Sequence, residues 1–456
     1  MTGVSAKEVT IGIDIGTTAV KAVAADADGQ VVARTRIPHR LRVPAPDRLE
    51  HDADEAWRQG PLRALAELDR PDAAAVTVTA MVPSLTAVDT EGRPLTPGLL
   101  YGDGRGRSAT GADTKFLTGE AVEFLRWTAR QAPDAYGYWP AAAVANHALA
   151  GEAVVDTATA GTTHPLYDRD RWNEKICASC EVAPIQLPRV APTGTAAGRV
   201  HGGDAVLGAG AVDAVCEQIV SGADRDGDVL VLCGTTLIVW ATIGEYREVP
   251  GLWTLPQSAP GRYQIGGPSN AGGLFLSWVD RLLAPATDAP VDARRIPVWA
   301  PYVRGERVPY HDPDRRAALD GLDLTQDSAA VRRAAYEASG FVVRQLVERS
   351  GAPAARIVAT GGGTRIAAWM QAVADVTGLP VHVAAIPEGA ALGAAFLGRV
   401  AAGLESSTTD AARWARTERV VDPDPRWSAP TQERYGRFLE LAERVTARNS
   451  STGEKA

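Results

Sequence analysis

The stretch "VTIGIDIGTTAVKAVAAD", residues 9–26, is the most informative part of this sequence. It contains two short apolar runs on either side of Gly16, Thr17 and Thr18. Short apolar runs bounded by a glycine turn predict two strands joined by a tight hairpin. Asp14 interrupts the first run, and a carboxylate in an apolar strand needs a partner or a chemical role.

The pattern occurs a second time in "GDVLVLCGTTLIVWATIGEYREVPG", residues 227–251, where Gly234 takes the position of Gly16. A repeated unit at the head of each half predicts two lobes built on one core motif. A chain of 456 residues also exceeds what one hydrophobic core usually serves. We therefore predict a first lobe, a second lobe and a flexible tail, at residues 1–225, 226–449 and 450–456.

Strand-like and helix-like segments alternate along the rest of the chain, which favours an α/β fold. Apolar periodicity predicts a helix over residues 52–68 and a strand over residues 74–81. An alanine-rich helical pattern covers residues 120–149, whereas prolines and glycines predict a loop over residues 184–200. In the second lobe we predict helices at about 274–283, 328–350 and 388–403, the last rich in small residues that allow close backbone packing.

Charge and hydropathy exclude several classes of protein. The formal net charge of -8 argues against a nucleic-acid surface, which needs a basic face. No apolar run approaches the ~20 residues of a membrane span, and the N-terminus carries no secretory pattern. We predict a cytoplasmic protein without nucleic-acid or membrane partners, and a homodimer is one option for its assembly.

Cysteine use gives little indication of function. Cys177 and Cys180 form one C-x-x-C pair, which could be half of a zinc site or a redox pair. No second pair or histidine cluster completes such a site, so two reduced structural thiols are the favoured interpretation.

The two Gly-Thr-Thr turns suggest binding of a polyphosphate. Glycine lets a turn aim several backbone N–H groups at one point, and threonine hydroxyls add donors. A single turn of this kind would be interpreted as an ordinary hairpin, but two equivalent copies favour a pair of phosphate sites. Asp14 cannot bind phosphate directly, because like charges repel, so we predict that it holds Mg²⁺ through water and oxygen ligands. The alternative for Asp14 is a carboxylate that is merely hydrogen-bonded at a strand end. Lys21 could either contact phosphate or extend its amine into solvent.

Four motifs follow one another in the order of a known family. "GIDIGTTAVKAVAAD" and "VLVLCGTTLIVWA" are followed by "PYVRGERVPYHDP" and "ATGGGTRIAAWMQAVADVTGLPV". Together they resemble the FGGY family of carbohydrate kinases, within the actin/hexokinase/Hsp70 superfamily, and in particular its xylulokinase-like branch. The resemblance runs from Val9 to Gly403. It implies two ribonuclease-H-like lobes of the actin-like ATPase type, with a cleft between them.

The resemblance places ATP on the two Gly-Thr-Thr turns and on a glycine turn in the second lobe. In "TGGGT", residues 360–364, bare backbone can lie against a base or ribose. "GGPSNAGG", residues 266–273, is predicted to be a loop near the nucleotide. The nucleotide-binding residues that follow are Gly16, Thr17, Thr18, Lys21, Gly234, Thr235, Thr236, Gly362 and Gly363.

The resemblance also implies a catalytic base. Asp213, in "LGAGAVDAVCEQ", stands where the family has an aspartate among small residues shortly before the second phosphate turn. A carboxylate there would take the proton of a sugar hydroxyl as that hydroxyl attacks the γ-phosphoryl group. The alternative is an aspartate that only caps a helix.

The sugar-binding stretch departs from the family pattern. The family's Gln-Met-His-Gly turn is here Met-Val-Pro-Ser, residues 81–84, and its Trp-Asn-Asp-x-Arg is here Tyr-Gly-Asp-Gly-Arg, residues 101–105. The lost histidine and the changed Trp-Asn pair alter hydroxyl recognition, which makes a different polyol an alternative to xylulose. The substrate residues implied are Val82, Pro83, Asp103, Arg105 and Asp213, and the alternative for Asp103 and Arg105 is a surface ion pair.

These observations predict a kinase that transfers the γ-phosphoryl group of ATP, with Mg²⁺, to a sugar hydroxyl. A pentulose such as D-xylulose is the first choice, and another ketose, an aldonate or a polyol is the alternative. Two further alternatives are a non-catalytic sugar- or nucleotide-binding relative and an ATPase of the actin or Hsp70 type.

Overall fold

The computed structural model describes residues 8–45, 47–106, 120–168, 170–257, 261–285, 291–386 and 388–451. The predicted flexible tail lies outside these residues, except for residues 450 and 451, which end the last helix. No helix in the described part of the chain is both long and apolar enough to span a membrane.

The described strands form two series, one in each half of the chain. In the first half they are β1 Thr10–Ile15, β2 Ala19–Ala25, β3 Val31–Pro38, β4 Arg42–Ala45, β5 Arg48–His51, β6 Ala75–Ala80, β7 Ser84–Val88, β8 Gly98–Leu100, β9 Gly137–Trp139, β10 Val154–Asp156, β11 Tyr167–Asp168, β12 Arg171–Trp172, β13 Arg189–Ala191, β14 Ala196–Arg199 and β15 Val206–Gly208. In the second half they are β16 Asp228–Cys233, β17 Leu237–Ile243, β18 Trp253–Pro256, β19 Tyr263–Ser269, β20 Val298–Ala300, β21 Ala318–Asp320, β22 Arg356–Thr360, β23 Val381–Ala384 and β24 Thr417–Val421.

The helices alternate with these strands. They are α1 Gly60–Leu68, α2 Glu120–Gln131, α3 Ala141–Ala150, α4 Thr157–Gly161, α5 Glu174–Ser179, α6 Asp213–Ser221, α7 Gly273–Leu282, α8 Ser328–Ser350, α9 Ala367–Thr377, α10 Gly389–Ala401 and α11 Pro425–Ser451. A π-helix, Asp54–Gln59, runs directly into α1, and 3₁₀ turns occur at Gly104–Gly106, Pro184–Gln186, Gly362–Arg365 and Ala411–Trp414.

The chain divides into two compact units. The first holds the described residues up to Val220 together with Glu388–Trp414, and the second holds the described residues of Ser221–Pro387 and Ala415–Ala456. The sequence predicted two lobes, each a continuous stretch of chain. The structure differs in one respect: α10 packs in the first unit although it follows most of the second unit in the chain. The physical reason is its run of small residues, which lets its backbone approach β1. A side chain at Gly12 would overlap the carbonyl of Ala391.

The main sheet of the first unit has the order β14-β15-β6-β1-β2-β3. β1 pairs antiparallel with β2 across the first Gly-Thr-Thr turn and parallel with β6, which in turn pairs parallel with β15. Every residue of β1 and β6 is buried, which explains the apolar runs. Because β15, β6 and β1 are parallel, their carboxyl ends meet at one edge of the sheet.

The main sheet of the second unit repeats this arrangement, in the order β18-β19-β17-β16-β22-β23-β24. β16 pairs antiparallel with β17 across the second Gly-Thr-Thr turn and parallel with β22. β22 then pairs parallel with β23. The predicted α/β fold with a duplicated core motif is therefore confirmed.

Two predicted elements are wrong. The alanine-rich pattern over residues 120–149 is two helices, α2 and α3, separated by the short strand β9. Alanine favours helix on its own, but Gly137–Trp139 pairs with β7 and is buried there, so tertiary pairing prevails over propensity. The predicted loop over residues 184–200 contains strands β13 and β14, which pair with β10 and β15.

Candidate active site

Three parallel strands bring predicted site residues together at one edge of the first unit's sheet. Asp14 lies opposite Thr79 in the register of β1 and β6, and the Thr79 hydroxyl donates to the carbonyl of Ala211 at 2.6 Å. Neighbouring strands are about 4.8 Å apart, so Asp14 and the chain leading to Asp213 are separated by about 10 Å. The Val82–Pro83 segment leaves β6 between them. The backbone positions of Asp14, Asp213 and this part of the predicted sugar segment therefore lie at the same edge of the sheet.

Two hydrogen bonds fix the carbonyl groups of the first Gly-Thr-Thr turn. The carbonyl of Thr17 accepts a hydrogen bond from His51 Nε2 at 2.8 Å, and the carbonyl of Thr18 accepts one from the His39 amide at 3.1 Å. In a planar trans peptide the C=O and the following N–H point in opposite directions. The Thr18 N–H therefore points away from His51.

The second Gly-Thr-Thr turn is held by the start of α7. The amides of Gly273 and Leu274 donate to the carbonyls of Gly234 and Thr235, at 2.8 and 3.1 Å. By the same peptide geometry, the N–H groups of Thr235 and Thr236 point away from this helix. Gly273 must be glycine because a Cβ there would lie 2.8 Å from the Gly234 oxygen. The segment "GGPSNAGG" is not one loop as predicted: residues 266–269 end β19 and Gly273 begins α7, which leaves only residues 270–272 as a connection.

Thr236 also carries an unsatisfied donor. Its Oγ1 is buried and has no hydrogen-bond partner among the described residues. A buried hydroxyl without a partner costs free energy, so a ligand oxygen at this position would stabilise the turn.

The glycine turn after β22 lies against the second Gly-Thr-Thr turn. A Cβ on Gly363 would stand 2.7 Å from the carbonyl oxygen of Cys233, which directly precedes Gly234. A Cβ on Gly362 would meet nothing within 4 Å. The two predicted nucleotide elements of the second unit are therefore adjacent, and the backbone at Gly362 faces open space among the described residues.

The segment that leads into α7 is anchored by a buried carboxylate. Glu306 accepts hydrogen bonds from the Ser269 hydroxyl at 2.7 Å and from the amides of Asn270 and Arg307 at 2.8 and 2.7 Å. Burial nevertheless raises the pKa of Glu306 to about 7, because desolvation of the charged form outweighs these donors.

Asp14 is paired with Lys21. The Lys21 ammonium lies 3.2 Å from Asp14 Oδ2, and Asp14 is 5% exposed. Asp14 is the main cause of a raised pKa of Lys21, with burial opposing it and Glu217 and Glu388 adding smaller contributions. Lys21 thus compensates the charge of Asp14, and its contact with phosphate stays a prediction.

The Asp14 carboxylate would fit a magnesium ion that arrives with a nucleotide. In the described part of the chain, no three His, Cys, Asp or Glu side chains come close enough to hold a metal ion on their own. Mg²⁺ in phosphoryl-transfer sites usually takes one or two carboxylates, water and phosphate oxygens. Asp14, near the end of β1, would supply the protein's share of such a set, and Asp213 lies beyond β6, about 10 Å away.

Asp213 is the first residue of α6 and is half-buried. Its Oδ1 accepts a hydrogen bond from the Ala214 amide at 2.7 Å. This contact with the next residue orients the carboxylate, and it differs from a helix cap, in which the side chain accepts from an amide two or three residues further on.

Asp103 and Arg105 form a buried ion pair, not the surface pair of the alternative interpretation. Asp103 is 1% exposed and accepts from the Leu49 amide at 2.6 Å and from the Arg105 guanidinium at 2.7 and 2.8 Å. Arg105 also donates to Glu50 at 2.8 Å and lies over the ring of Trp127. The pair therefore holds β5 to the loop after β8.

Four residues near the first turn carried no predicted site role, namely His39, His51, Trp57 and Tyr101. The Tyr101 hydroxyl lies 2.8 Å from Thr17 Oγ1, and the Trp57 indole donates to His51 Nδ1 at 2.9 Å. The sequence contained one indication for His51. It lies two residues after Leu49 in a strand, so the two side chains point to the same, buried side.

The C-x-x-C pair has no reactive character. Cys177 and Cys180 are free, buried thiols at α5, and burial raises the pKa of Cys177 to about 11. A thiol with a raised pKa is a poor nucleophile and metal ligand at neutral pH. This agrees with two reduced structural thiols.

Comparison with known proteins supports the same interpretation. The sequence matches the N-terminal domain of the FGGY family of carbohydrate kinases over residues 9–115 and its C-terminal domain over residues 229–402. It is 26% identical to a xylulose kinase of Escherichia coli (strain K12), over 95% of this chain and 99% of the relative. It is also 26% identical to a gluconokinase of Bacillus subtilis (strain 168), over 86% and 87%. The crystal structure of a xylulose kinase from Rhodospirillum rubrum matches with a TM-score of 0.75 and 26% identity, over 96% and 99%, which confirms the predicted actin-like fold.

Proposed function

The chain belongs to the FGGY family of carbohydrate kinases, and we propose that it phosphorylates a pentulose such as D-xylulose with Asp213 as the general base. It is an ATP-dependent sugar kinase by family; the acceptor and the roles of single residues are the proposal. The observation that carries it is the convergence of Asp14, the Val82–Pro83 segment and Asp213 at one edge of the first unit's sheet.

In this proposal Asp213 accepts the proton of the acceptor hydroxyl. The hydroxyl oxygen forms a bond to the γ-phosphorus, and the bond from that phosphorus to the bridging oxygen of ADP breaks. The Ala214 amide donates to Asp213 Oδ1 at 2.7 Å and so orients the carboxylate that would accept the proton.

The two Gly-Thr-Thr turns bind the phosphates. The carbonyls of the two turns accept hydrogen bonds from His51, His39 and the start of α7. The N–H groups of Thr18, Thr235 and Thr236 therefore point away from these donors. Preorganised N–H donors stabilise phosphoryl charge without reorganising during the reaction. The open backbone at Gly362 is the proposed contact for adenosine.

Asp14 is the proposed protein ligand of Mg²⁺, directly or through water, whereas Asp213 is the proposed base. When bound, the ion supplies positive charge that neutralises the phosphate oxygens. The Lys21 ammonium, 3.2 Å from Asp14 Oδ2, compensates the charge of that carboxylate and orients it. A cytoplasmic location and the homodimer option stay predictions of the sequence.

A neutral acceptor is favoured over an aldonate. An aldonate carboxylate needs a cation in the sugar site, and Arg105 is the cation among the proposed substrate residues. Arg105 is already paired with both Asp103 and Glu50, at 2.7 and 2.8 Å. Recruiting it to a substrate carboxylate would break a buried ion pair, which is strongly unfavourable.

The proposal is tested by ADP release from ATP and Mg²⁺ over a panel of pentuloses, hexuloses, aldonates and polyols. We expect the highest kcat/KM with a pentulose, and a loss of about a hundredfold or more in Asp213→Asn, since general bases contribute that much. A flat response across the panel contradicts the acceptor assignment. Retained activity in Asp213→Asn contradicts the base assignment.

A further inference from the structure

Behind the first Gly-Thr-Thr turn lies a chain of buried aromatic side chains. Trp57 and His51 are fully buried, and the indole N–H of Trp57 donates to His51 Nδ1 at 2.9 Å. The other ring nitrogen of His51, Nε2, lies 2.8 Å from the carbonyl oxygen of Thr17. The His39 ring packs edge-on against His51, with ring centroids 4.6 Å apart.

Trp57 fixes the tautomer of His51. An indole N–H only donates, so Nδ1 of His51 must accept and cannot carry a hydrogen. The ring hydrogen of the neutral imidazole therefore resides on Nε2, which donates to the Thr17 carbonyl. Burial, with His39 as a smaller cause, lowers the pKa of His51 to about 4, so the ring is neutral at physiological pH.

This fixed donor determines the direction of one peptide plane. With the Thr17 carbonyl held by His51, the Thr18 N–H must point to the opposite side. Without the donor, the buried carbonyl of Thr17 would lose its partner, and the peptide plane could rotate to find another. Thr17 is further constrained by its hydroxyl, which lies 2.8 Å from that of Tyr101.

We propose that His51 is a positioning residue for the nucleotide phosphates: through its Nε2–H it holds the first Gly-Thr-Thr turn with the Thr18 amide directed at the phosphate chain. The inference rests on the proposed phosphate-binding role of that turn. His51 touches neither nucleotide nor sugar, and it acts through the Thr17 peptide.

Three variants test the proposal. His51→Leu keeps the approximate volume and removes the donor. His51→Gln places an amide N–H near the position of Nε2 and keeps it. Trp57→Phe keeps the aromatic packing but removes the N–H that fixes the tautomer.

ATP affinity is measured by calorimetry on the full chain with Mg²⁺, and KM is measured separately for ATP and for the best acceptor of the panel. We expect His51→Leu to weaken ATP binding and to raise the KM for ATP about tenfold, as loss of a well-aligned hydrogen bond allows, with the sugar KM unchanged. His51→Gln should recover most of this loss, and Trp57→Phe should fall between the two.

A matched control is another histidine–tryptophan contact in the same unit. His147 packs against Trp139 with ring centroids 5.1 Å apart. His147→Leu should leave both KM values unchanged, whatever it does to thermal stability.

The proposal is overturned if His51→Leu binds ATP as the wild type does, or if His51→Gln is as impaired as His51→Leu. It is also overturned if both KM values rise together, since that indicates general damage to the unit. If His51→Leu does not fold, Trp57→Phe decides by the same criteria. Calorimetry with ATP needs no acceptor, so a wild type that binds ATP but phosphorylates nothing on the panel refutes the proposed acceptor and leaves this test intact.

Discussion

The hydroxyl of Tyr101 lies 2.8 Å from Oγ1 of Thr17, and both residues are buried. Tyr101 belongs to the loop that carries Asp103 and Arg105, whereas Thr17 belongs to the first phosphate turn. One hydrogen bond thus joins the proposed sugar loop to the proposed phosphate turn within a single unit.

Removing this bond should affect catalysis more than folding. Tyr101→Phe deletes only the hydroxyl, and we expect kcat/KM to fall about fivefold, because one buried hydrogen bond contributes about 1 kcal/mol. Steady-state kinetics with varied ATP and varied sugar measure the effect. Tyr138→Phe is the control, since it removes a hydroxyl that donates to the Ala132 carbonyl at 2.9 Å elsewhere in the unit. Equal kinetic effects in the two variants would contradict the coupling of loop and turn.

Asp14 should control the magnesium requirement. We expect Asp14→Asn to lower kcat by about a hundredfold and to raise the Mg²⁺ concentration needed for half-maximal rate, because a neutral amide is a poorer Mg²⁺ ligand. A titration of the rate with MgCl₂ at saturating ATP measures both. Asp72→Asn, which breaks a more exposed ion pair with Arg70, should change neither value. An unchanged Mg²⁺ dependence in Asp14→Asn refutes its proposed role.

Gly273 should be intolerant of a side chain. A Cβ at this position would press on the Gly234 carbonyl, so we expect Gly273→Ala to destabilise the protein by about 1–3 kcal/mol and to raise the KM for ATP. Chemical denaturation and kinetics measure the two effects. Gly436, in α11, is an exposed helical glycine with nothing within 4 Å of its Cβ position. Gly436→Ala should therefore stabilise the protein slightly, and a comparable loss in both variants would contradict the steric argument.

Glu306 should make stability depend on pH. The pKa of Glu306 in the folded protein, about 7, is above its ordinary value of 4.5, so the folded state keeps this proton over a range where the unfolded state has lost it. The free energy of unfolding should therefore fall as pH rises from 4.5 to 7, by about 3 kcal/mol in total, and level off above that range. Urea denaturation of wild type and Glu306→Gln at pH 5 and pH 8 measures the difference. If the gap between the two proteins does not change with pH, Glu306 does not titrate in this range.

The sequence predicted best what depends on local pattern. The two hairpins, the helix over 328–350 and the glycine turn after β22 all follow from apolar period and turn residues, and the structure contains each of them. The duplicated order of strands was also readable, because the same short motif heads both halves.

What the sequence could not predict depends on contacts distant in the chain. Nothing near Asp103 indicates that Leu49 and Glu50 would enclose the Asp103–Arg105 pair. His51 received no role because its partners, the Thr17 carbonyl and the Trp57 indole, are identified only by the fold. The prediction of one helix over residues 120–149 failed for a related reason. Pairing of Gly137–Trp139 with β7 outweighed the helical propensity of the segment.

The position of α10 has a consequence for synthesis on the ribosome. This helix covers β1, with the Thr10 hydroxyl donating to the Ala395 carbonyl at 2.8 Å, yet Ala395 is translated 385 residues after Thr10. Domains usually fold as they emerge, N-terminal first. Here the sheet built by the first 220 residues keeps one face uncovered while most of the second unit is made. The nascent chain therefore passes through a long interval in which apolar surface around β1 is exposed, when a chaperone or a neighbouring nascent chain could bind there.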